Sequence, residues 1–361
     1  MPQRIPRSIL LVRLRLIGDV VFTTPAIRAV RRRYPDARLV YLVEEEAAPV
    51  VQHNPHLDEV IVVAHTRGGR RVADDLALAR RLWRDRFDLV IDFHGGPRSA
   101  WLTWVTRAPV RVGYDVAGRR WMYSRVVHRP RALRARHSVE NQWDLLAAVD
   151  DAFATGPSPE HDRVEMPVDD EARRRVDGRL AAGPAATAWI VMHVSAGNPF
   201  RRWPEASFAD LAAALVRGDA GRAVIITGGP SDRDAATRVI ATARATLGAL
   251  GTRVVDGDGL SLADLRALVD RAALFVGGDS GPLHVASTSE TPIVGLYGPT
   301  LAERSRPWRP ERVPAVAVDA GELPCRPCDQ RVCAPGDFRC LTRVSAAAVY
   351  EAAERLLEVR R

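Results

Sequence analysis

The feature that most constrains the fold of this chain is an alternation of short apolar runs with longer amphipathic segments. Runs such as SILLVRL near the N-terminus and RAVIIT in the second half are each followed by a stretch with helical periodicity. Apolar runs of strand length that alternate with helices are typical of βαβ units and parallel sheets. The sequence therefore predicts an α/β protein.

The alternation is interrupted once, near residues 150–168, by a polar segment rich in Pro and Gly, and it then begins again. We therefore predict two Rossmann-like, doubly wound domains that face a central cleft, at residues 1–165 and 166–344. A final segment, residues 345–361, reads as a helix. Ligands of such sheets gather at the carboxyl ends of the strands, so the loops there are the candidate sites.

The basic residues restrict the chemistry. All 52 residues in the Lys+Arg count are Arg, so a Schiff-base or P-loop lysine is excluded. The formal net charge of +8 favours an anionic partner, but the arginines are scattered without helix-turn-helix or zinc-finger spacing, which argues against specific nucleic-acid binding. Charges interrupt the N-terminal apolar stretch, which is typical of a first strand and not of a signal peptide, and we expect a cytoplasmic protein.

The stretch GGDSGPLHVA, Gly277 to Ala286, follows the apolar run ALFV. Pro282 suits the first turn of a helix, Ser280 can cap that helix, and Gly281 lets a ligand approach the backbone. Free N–H groups at such a helix start favour a diphosphate, with Asp279 and His284 close by. The alternative is an ordinary capped helix with a buried histidine.

Two other loops carry candidate side chains. In RLIGDVV, Gly18 and Asp19 follow the first strand, and Asp19 is either a helix N-cap or a general base. The spacing is not G-x-G-x-x-G, so the dinucleotide fingerprint is missing. In SAGNPFRRWP, Ser195 follows a strand, and Arg201 is either a phosphate clamp or a surface residue.

A further loop and a cysteine-rich segment complete the candidates. In TGGPSDRD, Ser231 or Asp232 caps a helix or holds a ribose. The spacing C-x2-C-x4-C-x6-C is compatible with a structural metal site, with reduced thiols in a compact loop, or with a disulfide formed on oxidation. Its members are Cys325, Cys328, Cys333 and Cys340.

These motifs, in this order, resemble glycosyltransferase family 9, the bacterial heptosyltransferases. The resemblance covers LLVRLRLIGDVVFTTPAI, HVSAGNPFRRWPEASF, GGDSGPLHVASTSETPIVGLYGPT and the cysteine segment, which is similar to that of heptosyltransferase II-like members. It implies a GT-B fold whose last helix packs back on the first domain. It also implies an inverting, metal-independent transfer of heptose from ADP-L-glycero-D-manno-heptose to Kdo-lipid A or an inner-core heptose of lipopolysaccharide, with no cofactor.

The resemblance also assigns roles. Asp19 matches the catalytic base, and Arg201 stands where the family usually has Lys against the donor phosphates. The donor-binding set becomes Ser195, Arg201, Asp232, Asp279, Ser280, Gly281 and His284. An anionic acceptor at the inner face of the inner membrane would be met by the first domain, with Gly18, Arg98, Arg119, Arg120 and Arg125 as candidates. Another GT-B enzyme, such as a nucleotide-sugar 2-epimerase, and a nucleic-acid binder remain as rivals.

Overall fold

The computed structural model describes residues 5–64, 68–128, 136–194 and 198–358. The chain divides into two compact units, Met1–Pro167 and Val168–Arg361. Each unit is built around one parallel six-stranded sheet with helices packed on it. The division falls within the polar segment that interrupts the alternation in the sequence.

The sheet of the first unit has the strand order β3-β2-β1-β4-β5-β6. Its strands are β1 (Ser8–Val12), β2 (Arg38–Glu44), β3 (Glu59–Val63), β4 (Leu89–Asp92), β5 (Val110–Tyr114) and β6 (Arg125–Val127). Its helices are α1 (Ile17–Val21), α2 (Thr24–Arg33), α3 (Gly68–Arg84), α4 (Pro97–Val105) and α5 (Ser138–Ala147).

The sheet of the second unit has the order β12-β11-β10-β7-β8-β9. Its strands are β7 (Ala188–His193), β8 (Arg222–Thr227), β9 (Val254–Asp256), β10 (Leu274–Gly278), β11 (Ile293–Tyr297) and β12 (Ala315–Asp319). Its helices are α6 (Asp170–Ala181), α7 (Glu205–Gly218), α8 (Arg233–Leu247), α9 (Leu262–Arg271), α10 (Gly281–Ala286), α11 (Ala302–Ser305), α12 (Arg339–Thr342) and α13 (Ala346–Glu358).

Both sheets have the same topology. In each, the first strand of the unit pairs with the second on one side and with the fourth on the other, so the direction of winding reverses between β1 and β4 and between β7 and β10. Crevices outside the carboxyl ends of the strands at such switch points are the usual ligand sites of open α/β sheets. The loops after these four strands are therefore the expected ligand sites.

The inner strands of each sheet are buried on both faces. Ile190 and Met192 of β7 belong to one apolar cluster, whereas Val191 between them belongs to the cluster on the other side of the sheet. Successive side chains of a strand point to opposite faces, so a strand covered on both faces reads as a continuous apolar run. This arrangement explains why the runs in the sequence are unbroken and not alternating.

The last helix completes the core of the second unit. Helix α13 packs on α7, β10, β11 and β12, and its buried residues belong to the same cluster as Ile190 and Met192; they are Val349, Ala352, Ala353, Leu356 and Leu357. This apolar face is therefore buried within the second unit. The packing of this helix on the first domain, which the family resemblance implies, stays a prediction. No helix in the described ranges is long and apolar enough to cross a bilayer.

We expect the ion pair that fixes α13 to matter for stability. Arg222, whose side chain is only 5% exposed, donates to both carboxylate oxygens of Glu354. Glu354→Ala leaves a buried guanidinium without its carboxylate and should lower the free energy of unfolding by about 2 kcal/mol. Urea unfolding measures this, with Glu351→Ala, an exposed residue of the same helix, as the control. Equal stability of the two variants would contradict the assignment.

Candidate active site

Asp19 lies in the first turn of α1, two residues after the helix begins, and not at the N-cap. The N-cap position is Leu16, whose backbone has a φ of 69° and whose side chain caps nothing. The carboxylate of Asp19 instead pairs with Arg13, and the side chain keeps 29% of its exposure. The capping interpretation is therefore wrong, and Asp19 offers solvent a carboxylate that a guanidinium holds in place.

Arg13 joins the two strands at the switch point of the first sheet. It follows β1, and its Nη1 donates to the backbone oxygen of Phe93, which follows β4, at 2.6 Å. The same guanidinium holds Asp19 through Nη2. The position of the Asp19 carboxylate is thus set by the ends of both strands and not by α1 alone.

Asp92, at the end of β4, holds the backbone of the loop that follows this strand, and it is not among the residues predicted from the sequence. It is fully buried and accepts hydrogen bonds from the Tyr123 hydroxyl at 2.7 Å, from Ser99 Oγ at 2.9 Å, and from the N–H groups of His94 and Gly95. Burial raises the pKa of the Asp92 carboxyl, whereas these hydrogen bonds lower it, and burial prevails. The strand-end Asp followed by a glycine pair was the only signal in the sequence.

The acceptor-binding candidates differ in exposure and in whether their side chains already have ion-pair partners. Gly18 is buried in α1, where its oxygen accepts the N–H of Phe22. Arg98 is 14% exposed and is paired with both Glu44 and Asp75, so the structure disfavours it as a substrate contact.

The remaining arginine candidates lie at and beyond the end of β5. Arg119 is half-buried, and Arg120 is exposed, with its nearest carboxylate, Asp115, at 3.8 Å. Arg125 donates to the backbone oxygens of Ala148 and Val149. Arg120 is therefore the most available of these cations.

Asp279 is the centre of the second unit's site. It follows β10 and is 3% exposed, yet its Oδ2 accepts hydrogen bonds from Arg201 Nη1 at 3.1 Å and from the Thr300 hydroxyl. His284 Nε2 lies 3.4 Å from the other oxygen. Burial alone would raise the pKa of Asp279, but His284, Arg201 and Thr300 together lower it to about 2. The carboxylate is therefore charged throughout the physiological range.

Arg201 extends across the switch point of the second sheet. It follows β7, and its Nη1 also donates to the backbone oxygen of Asp279, at 3.0 Å. Its Nε donates to Gln330 Oε1 at 2.8 Å. No described residue accepts a hydrogen bond from Nη2, and the side chain is 30% exposed. Arg201 therefore presents one fixed pair of N–H groups to an anion, as a phosphate clamp requires.

Asp232 has a partner of its own. It is 3% exposed, its Oδ1 lies 2.9 Å from Arg202 Nη2, and its Oδ2 accepts the Ser231 hydroxyl at 3.0 Å. Asp232 stands at the N-cap position of α8, but its side chain makes no capping hydrogen bond. The neighbouring arginines 201 and 202 thus serve two different carboxylates.

The helix after Asp279 departs from the expectation in two ways. Ser280 occupies the N-cap position of α10, but its hydroxyl donates to the Gly278 oxygen at 3.1 Å and does not cap. The helix has only six residues, so its dipole is small. Gly281 is half-buried and His284 is buried with 5% exposure. An anion here would depend more on Arg201 than on the helix.

His193, at the end of β7, is a buried residue that the sequence analysis passed over. Its Nδ1 lies 2.9 Å from Thr227 Oγ1, and that hydroxyl is close enough to donate to the Met192 oxygen, at 3.3 Å. The hydrogen bond between Nδ1 and the Thr227 hydroxyl fixes the orientation of the ring. Burial lowers the pKa of His193 to about 4, so the ring is uncharged near neutral pH.

Comparison with known proteins identifies the family of this chain. A family model, glycosyltransferase family 9 (heptosyltransferase), matches residues 76–337. The chain belongs to glycosyltransferase family 9. The family resemblance given by the motifs is thereby confirmed, and the protein is a glycosyltransferase enzyme.

Similar proteins match this chain over almost its full length. Lipopolysaccharide heptosyltransferase 3 of Escherichia coli is 27% identical over 95% of this chain and 97% of its own length. A family 9 structure from Veillonella parvula superposes with a TM-score of 0.81 and 24% identity, covering 98% of this chain and 97% of its own. The structure of Escherichia coli ADP-heptose heptosyltransferase II superposes with a TM-score of 0.79 and 20% identity, and the match covers 98% of this chain and 99% of that chain. The predicted GT-B fold class is confirmed.

The remaining candidates of this family 9 protein are Ser195 and the four cysteines. Ser195 lies outside the described residues. The cysteines 325, 328, 333 and 340 are half-buried and form no disulfide. Among the described residues, no group of three or more His, Cys, Asp or Glu side chains is arranged to hold a metal ion.

The buried His193 predicts a pH dependence of stability. Its pKa is about 4 in the folded protein and about 6.5 when exposed, so the unfolded state binds more protons between these values. Stability from this residue is complete above about pH 6.5 and falls as the pH drops toward 4, by about 3 kcal/mol at most. His193→Asn, which keeps a donor for Thr227, should flatten urea-unfolding free energies across pH 7 to 4.5. An unchanged slope would contradict this.

Proposed function

We propose that this protein transfers heptose from ADP-L-glycero-D-manno-heptose to the inner core of lipopolysaccharide, with inversion and without a metal ion. Membership of family 9 supports sugar transfer, and two of the relatives named above are lipopolysaccharide heptosyltransferases, one of them named for ADP-heptose. The observation that carries the proposal is the network of Arg201 and Asp279 at the switch point of the second sheet. It leaves one side of a fixed guanidinium open to an anion.

The second unit would bind the donor. Arg201 Nη2 would donate to the diphosphate, whose other oxygens would lie against the backbone N–H groups of Ser280 and Gly281. Asp232 would lie near the ribose, together with Ser195. As the bond from the sugar C1 to ADP breaks, its electron pair stays on the diphosphate, and Arg201 would stabilise that growing charge in place of a metal ion.

The first unit would supply the base. Asp19 would take the proton of the acceptor hydroxyl as its oxygen forms a bond to C1, on the face opposite the departing ADP, which gives inversion. Arg13 would keep the carboxylate aimed at that hydroxyl. This assigns Arg13 a holding role that its two hydrogen bonds can perform.

The acceptor would be a phosphorylated, Kdo-bearing lipid or its heptosylated form. The exposed Arg120 and its neighbour Arg119 offer positive charge to it. We propose that the enzyme acts in the cytoplasm at the inner face of the inner membrane, where such a lipid would present its sugar.

The proposal is tested by following ADP release from ADP-heptose with Kdo2-lipid A or a heptosylated core as acceptor, in the presence of EDTA. Heptosylated product and ADP in equal amounts support it. Turnover only with another nucleotide sugar, or only after metal addition, would overturn the donor or the metal-independent part respectively.

We expect Asp19→Asn to abolish most of the turnover. The amide keeps the shape of the side chain but cannot accept the proton, so kcat should fall by about 10² to 10⁴ while the donor KM stays close to that of the wild type. Asp36→Asn, a change at an exposed residue of the same unit, is the matched control and should leave kcat unchanged. Near-normal kcat in Asp19→Asn would remove this residue from catalysis.

A further inference from the structure

Gln330 lies in the segment that carries the cysteines, which we call the cysteine loop (residues 325–340). We propose that Gln330 is a positioning residue that fixes the Arg201 guanidinium for the donor diphosphate. The inference rests on the proposed function, in which Arg201 binds the donor diphosphate. Neither the motifs nor the family resemblance assigns a role to this glutamine.

The hydrogen bonds define which atom of Gln330 acts. Its Oε1 accepts from Arg201 Nε at 2.8 Å and from Asn198 Nδ2 at 2.7 Å. Asn198 is itself oriented, since its Oδ1 accepts the Phe200 N–H at 3.0 Å and turns its amide nitrogen toward the loop. Two donors converge on one oxygen, so only the amide oxygen of Gln330, and not its NH₂ group, satisfies both.

The consequence for Arg201 is a fixed plane. Nη1 is held by the backbone oxygen and the carboxylate of Asp279, and Nε is held by Gln330. A planar guanidinium with both of these positions engaged cannot rotate about its terminal bonds without breaking a hydrogen bond. Nη2 is therefore aimed in one direction. Without Gln330, only the contacts through Nη1 would remain, and the group could swing.

The cysteine loop is attached to the same sheet end at several points, which keeps Gln330 in place. Arg326, 4% exposed, donates to the oxygens of Gly321 and Thr300 and pairs with Asp319 at 2.8 Å. The Cys328 N–H donates to the Pro299 oxygen at 3.2 Å. The loop thus contacts the segment that carries Thr300, whose hydroxyl holds Asp279.

Two further features belong to the same arrangement. The rings of Phe200 and Phe338 meet edge to face with centroids 5.4 Å apart, so the far end of the loop also rests on the segment of Arg201. The backbone of Gln330 has a φ of 59°, a left-handed conformation that residues other than glycine adopt rarely and that persists when surrounding contacts hold it. Both features help to fix the loop in the conformation that holds the Gln330 side chain beside Arg201.

The test measures ADP affinity by calorimetry and the two KM values in the transfer assay. Gln330→Leu, similar in size but without an acceptor, should weaken ADP binding and raise the donor KM by about tenfold, the loss expected for one hydrogen bond to a charged group. The acceptor KM and the melting temperature should not change. Val332→Ala, at a 75% exposed position of the same loop, is the matched control and should behave as the wild type.

A double-mutant cycle decides whether Gln330 acts through Arg201. In an Arg201→Ala background, adding Gln330→Leu should change ADP affinity by less than about twofold, because the group to be positioned is gone. A tenfold loss in that background as well, or wild-type affinity in Gln330→Leu alone, would overturn the inference while leaving the proposed function intact. ADP binding unaffected by Arg201→Ala would instead remove the donor site itself, and this inference with it.

Discussion

The contact between Arg201 and the buried Asp279 is the interaction on which the site of the second unit depends. A carboxylate that is 3% exposed can stay charged only if hydrogen bonds and positive charge replace its lost water, and Arg201, Thr300 and His284 supply them. The same contact joins the ends of β7 and β10, the strands between which the winding of the sheet reverses. The topology of the sheet thus brings the two strand ends together, and the ion pair fixes the charged group of the proposed donor site.

The hydrogen bonds of Arg201 show what an arginine provides at this position that a lysine would not. The family resemblance implies a Lys at the position of Arg201, and an ammonium group is a single centre with three donors. The guanidinium here uses Nε on Gln330 and Nη1 on Asp279 and still has Nη2 to offer. Composition alone reads as a bias toward Arg, yet the surroundings of Arg201 use donors in a fork geometry that Lys does not have.

Much of the architecture could be predicted because parallel strands covered on both faces leave unbroken apolar runs, and the Gly-Asp-Ser-Gly-Pro motif marks one strand end directly. Details set by neighbours distant in sequence were not predictable. The segment from Val20 to Arg33 is divided between α1 and α2, and the hydroxyl of Thr23, at the break, lies 2.6 Å from the hydroxyl of Tyr41 in β2. The pairing of Arg98 with two carboxylates, and the burial of Asp92 and His193, likewise depend on tertiary contacts.

The most direct measurement is the crystal structure of the protein with ADP bound. The account predicts the diphosphate within hydrogen-bonding distance of Arg201 Nη2, next to the backbone of residues 280–281, with the contacts from Arg201 to Asp279 and Gln330 unchanged. A diphosphate bound away from Arg201, or an Arg201 side chain that leaves Asp279 to reach it, would contradict the claim that this ion pair builds the donor site.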